Sequence, residues 1–501
     1  MRYYVIGIGG TGAKCVEAIA HLCAAGLMPA GELYALFVDP DIKNGNLNRA
    51  QAVLRRYIDL QLGATELLQT RIVLANPDFW TPFGDERRPK LSDFFKYHTL
   101  KADKKQIKFA HLFDVLYSEE EKEAELDIGF RGRPSIGAAV MAKTVQLEQA
   151  EPWKTFRDRI AQDAKGGDGA RIFLIGSIFG GTGAAGFPTI ARLIKQELEN
   201  IGAENVKLGG ALMLPYFAFP PVNSAGQILA RSENFLMKTQ AALKYYNLRR
   251  NMECYDTVYL LGAESPGVVS SDGSGGGETQ RNAPHFIELY AALAARHFFM
   301  SNPSTARSGT AYFRISRSQA NSIDWTDLPD GNNGTTVKHK LGQLCRFAFA
   351  YLGVYFPMLD SLAKGERKGY TAPWFVDFFE RERINTNAEK TRAHLDFVKA
   401  YCEDFLLWLA SVQTSGEDDK INLIGYNAFA RVEDKQAILK NPEEFRLQEF
   451  GNLVLPLGRP NPHALSQLWA RMCQAKVKDP NAEGVGKFIH ALYQESRLTE
   501  G

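Results

Sequence analysis

A chain of 501 residues is long enough for two or three domains with well-buried cores, and its 45% hydrophobic and 23% charged residues are those of an ordinary soluble globular protein. Its 59 Lys plus Arg against 57 Asp plus Glu leave a net charge of +2, which excludes a global electrostatic footprint for nucleic acid or an anionic membrane. No run of 18 apolar residues offers a membrane span, six scattered cysteines without a C-x-x-C pair suit a reducing compartment, and nine histidines lack zinc spacing, so a cytoplasmic protein without structural zinc is expected.

In chain order, the apolar run Tyr3-Tyr4-Val5-Ile6 leads into Gly7-Ile8-Gly9-Gly10-Thr11-Gly12 and a helical pattern reaching Leu22. This satisfies G-x-G-x-x-G after a strand, and Asp39 ends the next apolar run at about the distance of a dinucleotide fold's ribose-binding acid. Residues 40–130 are irregular, with an aromatic and proline-rich Asn76 to Phe83, a lysine run (Lys101, Lys104, Lys105, Lys108) that reads as a solvated face, and an acidic run Glu119 to Glu125. A second apolar run, Arg171 to Gly176, opens into Gly180-Gly181-Thr182-Gly183-Ala184-Ala185-Gly186 and another helical pattern.

Strands are expected near 2–8, 33–39, 171–177, 206–214 and 256–262, with helices near 12–25, 135–163, 184–199, 223–247 and 284–300. The alternation predicts an α/β fold with a doubly wound, mostly parallel sheet. Ser270 to Gly277 reads as a flexible surface connection. Beyond residue 300 long helices dominate, near 335–358, 388–412 and 484–496, with one strand at Lys420 to Ile424. The expected division is a nucleotide-binding domain over 1–300 and a helix-rich C-terminal domain over 301–501.

Each glycine loop is a phosphate cradle in chemical terms. Glycine lets the backbone approach a ligand, and the helix that follows presents unpaired N–H groups and its positive dipole end to an anion. Thr182 adds a hydroxyl donor. A dinucleotide-binding enzyme needs only the first loop, so two cradles in one chain favour another reading. The G-x-x-x-x-G-K-[ST] spacing is absent, which disfavours a P-loop kinase or ATPase.

Taken together these loops resemble the tubulin and FtsZ superfamily, whose signature GGGTG-[ST]-G is matched by Phe179-Gly180-Gly181-Thr182-Gly183-Ala184-Ala185-Gly186 with one glycine replaced by Phe179. The loop Gly9, Gly10, Thr11 and Gly12, the acids Asp39 and Asp41 after strand two, and Gly132-Arg133-Pro134-Ser135-Ile136-Gly137, similar to G-A-N-P-x-I-G, fall in the family's order. So does Pro215-Tyr216-Phe217, in place of P-F-x-F. Arg131 and Arg133 are unusual in such a stretch, and their guanidinium groups are expected to pair with phosphate oxygens; the resemblance implies that Asn282 or His285, at the start of the central helix, lies near the base. It also implies a catalytic loop given to the next subunit, for which Asn321-Ser322-Ile323-Asp324-Trp325-Thr326-Asp327 keeps a D-aromatic-x-D core. The competing reading of that stretch is a turn with an Asp cap.

The implied function is a GTPase, with ATP as the alternative nucleotide, using Mg2+ and assembling head to tail into filaments. A nucleotide-binding scaffold that neither hydrolyses nor polymerises is the second reading, and an NAD-binding enzyme the third.

Overall fold

The structure, a computed structural model, describes residues 1–63, 68–84, 89–126, 129–130, 132–145, 149–167, 169–218, 235–248, 252–263, 267–268, 277–301, 310–314, 322–329, 335–366, 370–416, 420–423, 465–476 and 484–497. In the first part, strand β1 (Arg2–Ile8) is followed by helix α1 (Gly9–Ala24), β2 (Gly31–Val38), α2 (Gly45–Gly63) and β3 (Thr70–Trp80). Four short helices come next, α3 (Leu91–Phe94), α4 (Tyr97–Ala102), α5 (Ile107–Leu116) and α6 (Glu119–Glu123), and then α7 (Pro134–Thr144) and α8 (Trp153–Lys165). The chain continues through β4 (Ala170–Ser177), α9 (Gly181–Asn200), β5 (Lys207–Met213), β6 (Phe217–Ala218), α10 (Phe235–Leu248), β7 (Thr257–Leu261), β8 (Gly267–Val268), α11 (Phe286–Met300) and β9 (Ala311–Arg314).

Seven strands form one sheet in the order β3-β2-β1-β4-β5-β7-β9, every neighbouring pair parallel. Helices cover both faces, which is why β1 and β4 read as nearly continuous apolar runs, buried along most of their length. The strand order reverses between β1 and β4. From β1 the chain moves outward to β2 and β3, returns to lay β4 on the other side of β1, and proceeds to β9. Such a switch point leaves a crevice at the carboxyl ends of the two central strands, where ligands bind in open α/β sheets.

The differences from the expected elements have local causes. Helix α1 begins at Gly9 instead of residue 12, so the glycines form its first turn. The long helix expected over 135–163 is two, because the chain turns extended at Val145 and re-enters helix only after Pro152, which has no N–H to donate. Strand β3 was hidden in the irregular stretch because Pro77 interrupts its alternation and its pairing to β2 shifts register. The first half of the helix expected over 223–247, up to residue 234, lies outside the described residues, and α10 carries the rest. Strand β9 pairs with β7 and lies past residue 300, so the sheet extends beyond the division expected there.

The last part is helix-rich. Strand β10 (Ser322–Ile323) precedes α12 (Thr335–Ala350), which runs through a π-turn at Tyr351–Tyr355 into α13 (Phe356–Ala363). Then come α14 (Pro373–Phe375), α15 (Glu389–Gln413), β11 (Lys420–Ile421), which pairs with β10, α16 (Leu465–Met472) and α17 (Val485–Glu495). No helix is long and apolar enough to cross a membrane among the described residues. Helix α15 packs on α1: His21 lies against Tyr401, Phe405 and Trp408, with ring centroids 5.7, 5.6 and 4.8 Å away. Burial holds the His21 imidazole down at about 3, so it packs as a neutral ring.

Candidate functional site

A cleft lies over the carboxyl ends of β1, β2 and β4, at the switch point of the sheet. Its floor is Gly9, Gly10 and Thr11 from α1 and Gly180, Gly181, Thr182 and Gly183 from the start of α9. Asp39, Asp41 and Asn44 form one wall, Gly129, Phe130 and Gly132 another, and Ser177, Phe179, Phe217, Phe235 and Gln280 complete the lining. The two glycine loops expected to act as cradles thus share one cavity. Two helix N-termini, each with N–H groups that lack intrahelical acceptors, converge on it.

Two glycines are fixed by geometry. Gly9 has φ +73 and brings its loop so near the other that a Cβ there would stand 3.3 Å from the Cβ of Thr182. Gly12 lies behind the cleft, where a Cβ would come within 2.5 Å of the Ile175 carbonyl oxygen on β4. Phe179, where the resembling family has glycine, fills an aromatic cluster with Phe235 (4.9 Å) and Phe217 (5.4 Å), which braces the wall around the second cradle.

The acid wall is asymmetric. Asp41 is engaged, accepting from the backbone N–H of Lys43 (3.1 Å) and of Gly277 (2.6 Å). Asp39 accepts from the Asp41 N–H through Oδ1 (3.1 Å), but its buried Oδ2 has no hydrogen-bond partner among the described residues. Burial, together with the neighbouring Asp41 charge, pushes the Asp39 carboxyl well above the usual carboxylate range. The loop carrying both acids is laced to the segment before α11: Gly45 donates to the Gly277 carbonyl, Asn46 to the Gln280 carbonyl, and the Asn44 amide to Gln280 Oε1.

Other expected residues are placed differently. Arg131 lies outside the described residues. Arg133 caps the start of α7, and its guanidinium meets Glu120 (3.3 Å) and Glu121 (3.7 Å) on α6, not the cleft lining. Ala184 sits under the floor, its carbonyl accepting from the Tyr246 hydroxyl at 2.5 Å. Asn282 is buried behind the acid wall, its N–H on Asn46 Oδ1 and its carbonyl on Arg49, while its own Oδ1 has no hydrogen-bond partner among the described residues. His285 is the N-cap of α11: Nδ1 accepts from Ile287 N–H, and Glu288 reaches back to the His285 N–H. Burial and Lys14 hold its imidazole down at about 3. Neither Asn282 nor His285 lines the cleft.

Lys14, just past the first loop, is buried and does not line the cleft. Its ammonium pairs with the fully buried Glu288, which also accepts from the Tyr216 hydroxyl (2.7 Å), so α1, α11 and the turn after β5 are locked together.

Asp324 and Asp327 form a reciprocal capping box around Trp325–Asp327: Asp324 accepts from Thr326 N–H, and Asp327 accepts from Asp324 N–H. The Tyr290 hydroxyl donates to the Asp327 carbonyl (3.2 Å). Helical side chains lean toward the helix N-terminus, so this turn lies beside the cleft-end half of α11, not at the opposite end of the sheet. Asn321 falls outside the described residues.

Sequence reading missed one cation. Lys238, half-buried on α10, donates to the Gly132 carbonyl (3.4 Å) at the edge of the cleft, and burial followed by the nearby Arg133 lowers its pKa. Only the fold brings α10 over that loop.

Residues 130–267, which span Gly132, β4 and the second cradle, match a family described as tubulin-like. Among solved structures, a GTPγS-bound protofilament of CetZ2 from Haloferax volcanii is similar at 16% identity over 62% of this chain and 64% of that one, with a TM-score of 0.29. CetZ from Methanosaeta thermophila gives 15% over 58% and 52%, TM-score 0.24, and a two-stranded filament of TubZ-Bt gives 11% over 61% and 55%, TM-score 0.24. The chain spans less than two thirds of each of those chains. A search of curated proteins found no match.

Proposed function

We propose that this divergent tubulin-like chain binds a guanine nucleoside triphosphate with Mg2+ in the cleft between its two glycine loops, and self-associates head to tail. The observation that carries the reading is the convergence of two helix N-termini on one cavity, opposite a buried carboxylate oxygen that has no hydrogen-bond partner among the described residues. The α1 and α9 N–H groups would hold phosphate oxygens, with the Thr182 hydroxyl donating and Lys238 adding charge from the side. Asp39 Oδ2 fits a hard divalent cation, and because no three His, Cys, Asp or Glu side chains cluster among the described residues, such a cation would draw its remaining ligands from phosphate and water. Guanine is taken over adenine from the resemblance of the loops to the tubulin and FtsZ superfamily.

Hydrolysis is where a second reading has support. An acid loop handed to the next subunit must reach the far end of the molecule, whereas Asp324 and Asp327 cap a turn beside the cleft-end half of α11. That placement favours a nucleotide-binding scaffold that turns over slowly or not at all.

The test is binding of fluorescent GTP and ATP analogues with and without Mg2+, with phosphate release and sedimentation on the same samples. Thr182→Ala and Lys238→Ala are each expected to weaken binding about tenfold, the loss of one charge-assisted hydrogen bond of ~1.4 kcal/mol or more. Gly183→Ala is unsuitable as a probe, since its Cβ would strike the Ser177 backbone. Undiminished affinity in both variants would remove the cradle assignment. Binding and sedimentation without phosphate release would select the scaffold reading.

A further inference from the structure

A base held in the cleft can be told from another base only by a polar group that is still unspent. The phenylalanine side supplies none and offers no open ring face, since Phe179, Phe217 and Phe235 are buried and close on one another, Phe217 edge-on to both. Thr11, Ser177 and Thr182 sit in or beside the two glycine loops, and Asp41 is taken up by backbone N–H groups. Beside the acid wall, half-buried in the lining, stands Gln280.

Which end of the Gln280 amide is left for a ligand is decided by Asn44. Asn44 Oδ1 accepts two backbone N–H groups, those of Asn46 (2.9 Å) and Leu47 (3.3 Å). Only an oxygen can do so, and its Nδ2 is therefore the end turned toward Gln280. That nitrogen donates to Gln280 Oε1 at 3.0 Å, which fixes the second amide in turn. The Gln280 backbone is pinned on both sides, its N–H on the Gly277 carbonyl and its carbonyl on the Asn46 N–H. What remains is Nε2, whose two hydrogens meet no protein acceptor among the described residues. Asn44 itself rests on the first glycine loop, where a Cβ on Gly10 would lie 3.0 Å from its Nδ2, so the donors of Gln280 stand one amide away from the phosphate cradle.

A glutamine reads adenine with both ends, Oε1 accepting from N6 and Nε2 donating to N7. Here Oε1 is spent on Asn44, and an adenine amino group would meet N–H against N–H. A 6-oxo purine offers acceptors at both O6 and N7. We propose that Gln280 is the specificity-determining residue of the cleft, its Nε2 donating to O6 and N7 of a 6-oxo purine, and that Asn44 is the positioning residue that keeps the acceptor end turned away. The assignment rests on the nucleotide reading of the cleft and adds to it the atoms that are read. Guanine and hypoxanthine are then treated alike, because the 2-amino group that separates them is not part of the contact.

Isothermal titration calorimetry of the full chain with GTP, ITP, ATP and inorganic tripolyphosphate, all with Mg2+, tests it. GTP and ITP are expected to bind within about threefold of each other, and ATP at least about tenfold more weakly. Gln280→Leu removes the donors without adding charge. It should bring the three nucleotides within about threefold of one another while leaving tripolyphosphate affinity unchanged. Asn44→Asp keeps the acceptor for Asn46 and Leu47 but turns only oxygens toward Gln280, whose amide must then rotate and offer Oε1 to the cleft. Its preference should reverse toward ATP, and Gln280→Leu in that background should abolish the reversal, which a merely structural role for Asn44 would not produce. An unchanged GTP-to-ATP ratio in Gln280→Leu or in Asn44→Asp would overturn the proposal. So would an equal loss of tripolyphosphate and GTP affinity in Gln280→Leu, which would set the side chain on phosphate. Wild-type binding of tripolyphosphate and of GTP and ATP alike would remove the base readout and leave the cradle standing, whereas binding of none of the four would remove both.

Discussion

Asp39 shows at the scale of one residue how a candidate site declares itself through an unmet need. In the native chain its carboxyl is pushed well above its ordinary value of 3.8 by burial, with Asp41 adding to the effect. Between the ordinary and the raised value the native state holds a proton that the unfolded chain has released, so stability falls as pH rises through that window. Asp39→Asn keeps the shape and removes the titration. Without nucleotide or divalent cation, melting curves between pH 4 and 8 are expected to show a flatter pH dependence in the variant and a higher melting temperature at pH 7 than in the wild type. Added Mg2+ and nucleotide should then raise the wild type more than the variant. A parallel pH dependence in both chains would mean that Asp39 is not held protonated, and the cation role would lose its physical basis.

Elements show both what could be read from the sequence and what could not. The glycine loops were legible because a close approach such as that of Gly12 to the Ile175 carbonyl leaves a mark that no other residue type can replace. The buried central strands were legible as apolar runs. The fate of His285 and Arg133 was not, since a capping imidazole and a guanidinium held by α6 depend on partners that only the fold supplies. The same holds within α9, where Pro188 sits in the helix interior and cannot donate to the Ala184 carbonyl. The Tyr246 hydroxyl of α10 supplies that donor, so a local defect becomes the joint between two elements beside the cleft. Tyr246→Phe should therefore cost about 1–3 kcal/mol by leaving a buried carbonyl unpaired. In a Pro188→Ala background the restored N–H takes the carbonyl, and the cost of Tyr246→Phe should fall to a few tenths of that. Urea denaturation of the four chains of this cycle measures it, and an equal cost in both backgrounds would dissolve the coupling.

For the whole molecule the question is whether the helix-rich part is an appendage or a wall of the nucleotide-binding part. Composition divides the chain near residue 300, yet β9 completes the sheet beyond that point, and α15 covers α1 with Tyr401, Phe405 and Trp408 around His21. Tyr493 of α17 donates to the Ala25 carbonyl (3.3 Å), and Arg56 of α2 pairs with Asp404 of α15. Removing these helices would expose the apolar back of α1, the helix whose first turn forms half of the cradle. We therefore expect one cooperative unit. Tryptophan fluorescence reports both parts, with Trp374, Trp408 and Trp469 in the C-terminal helices and Trp80 and Trp153 in the first part, while nucleotide-analogue release reports the cleft alone. In a urea titration both signals should change at the same denaturant concentration, and a chain ending at residue 330 should be insoluble or fail to bind nucleotide. Two separated transitions, or a soluble binding-competent truncation, would instead make residues 301–501 an independent domain and free the sheet to change shape without them.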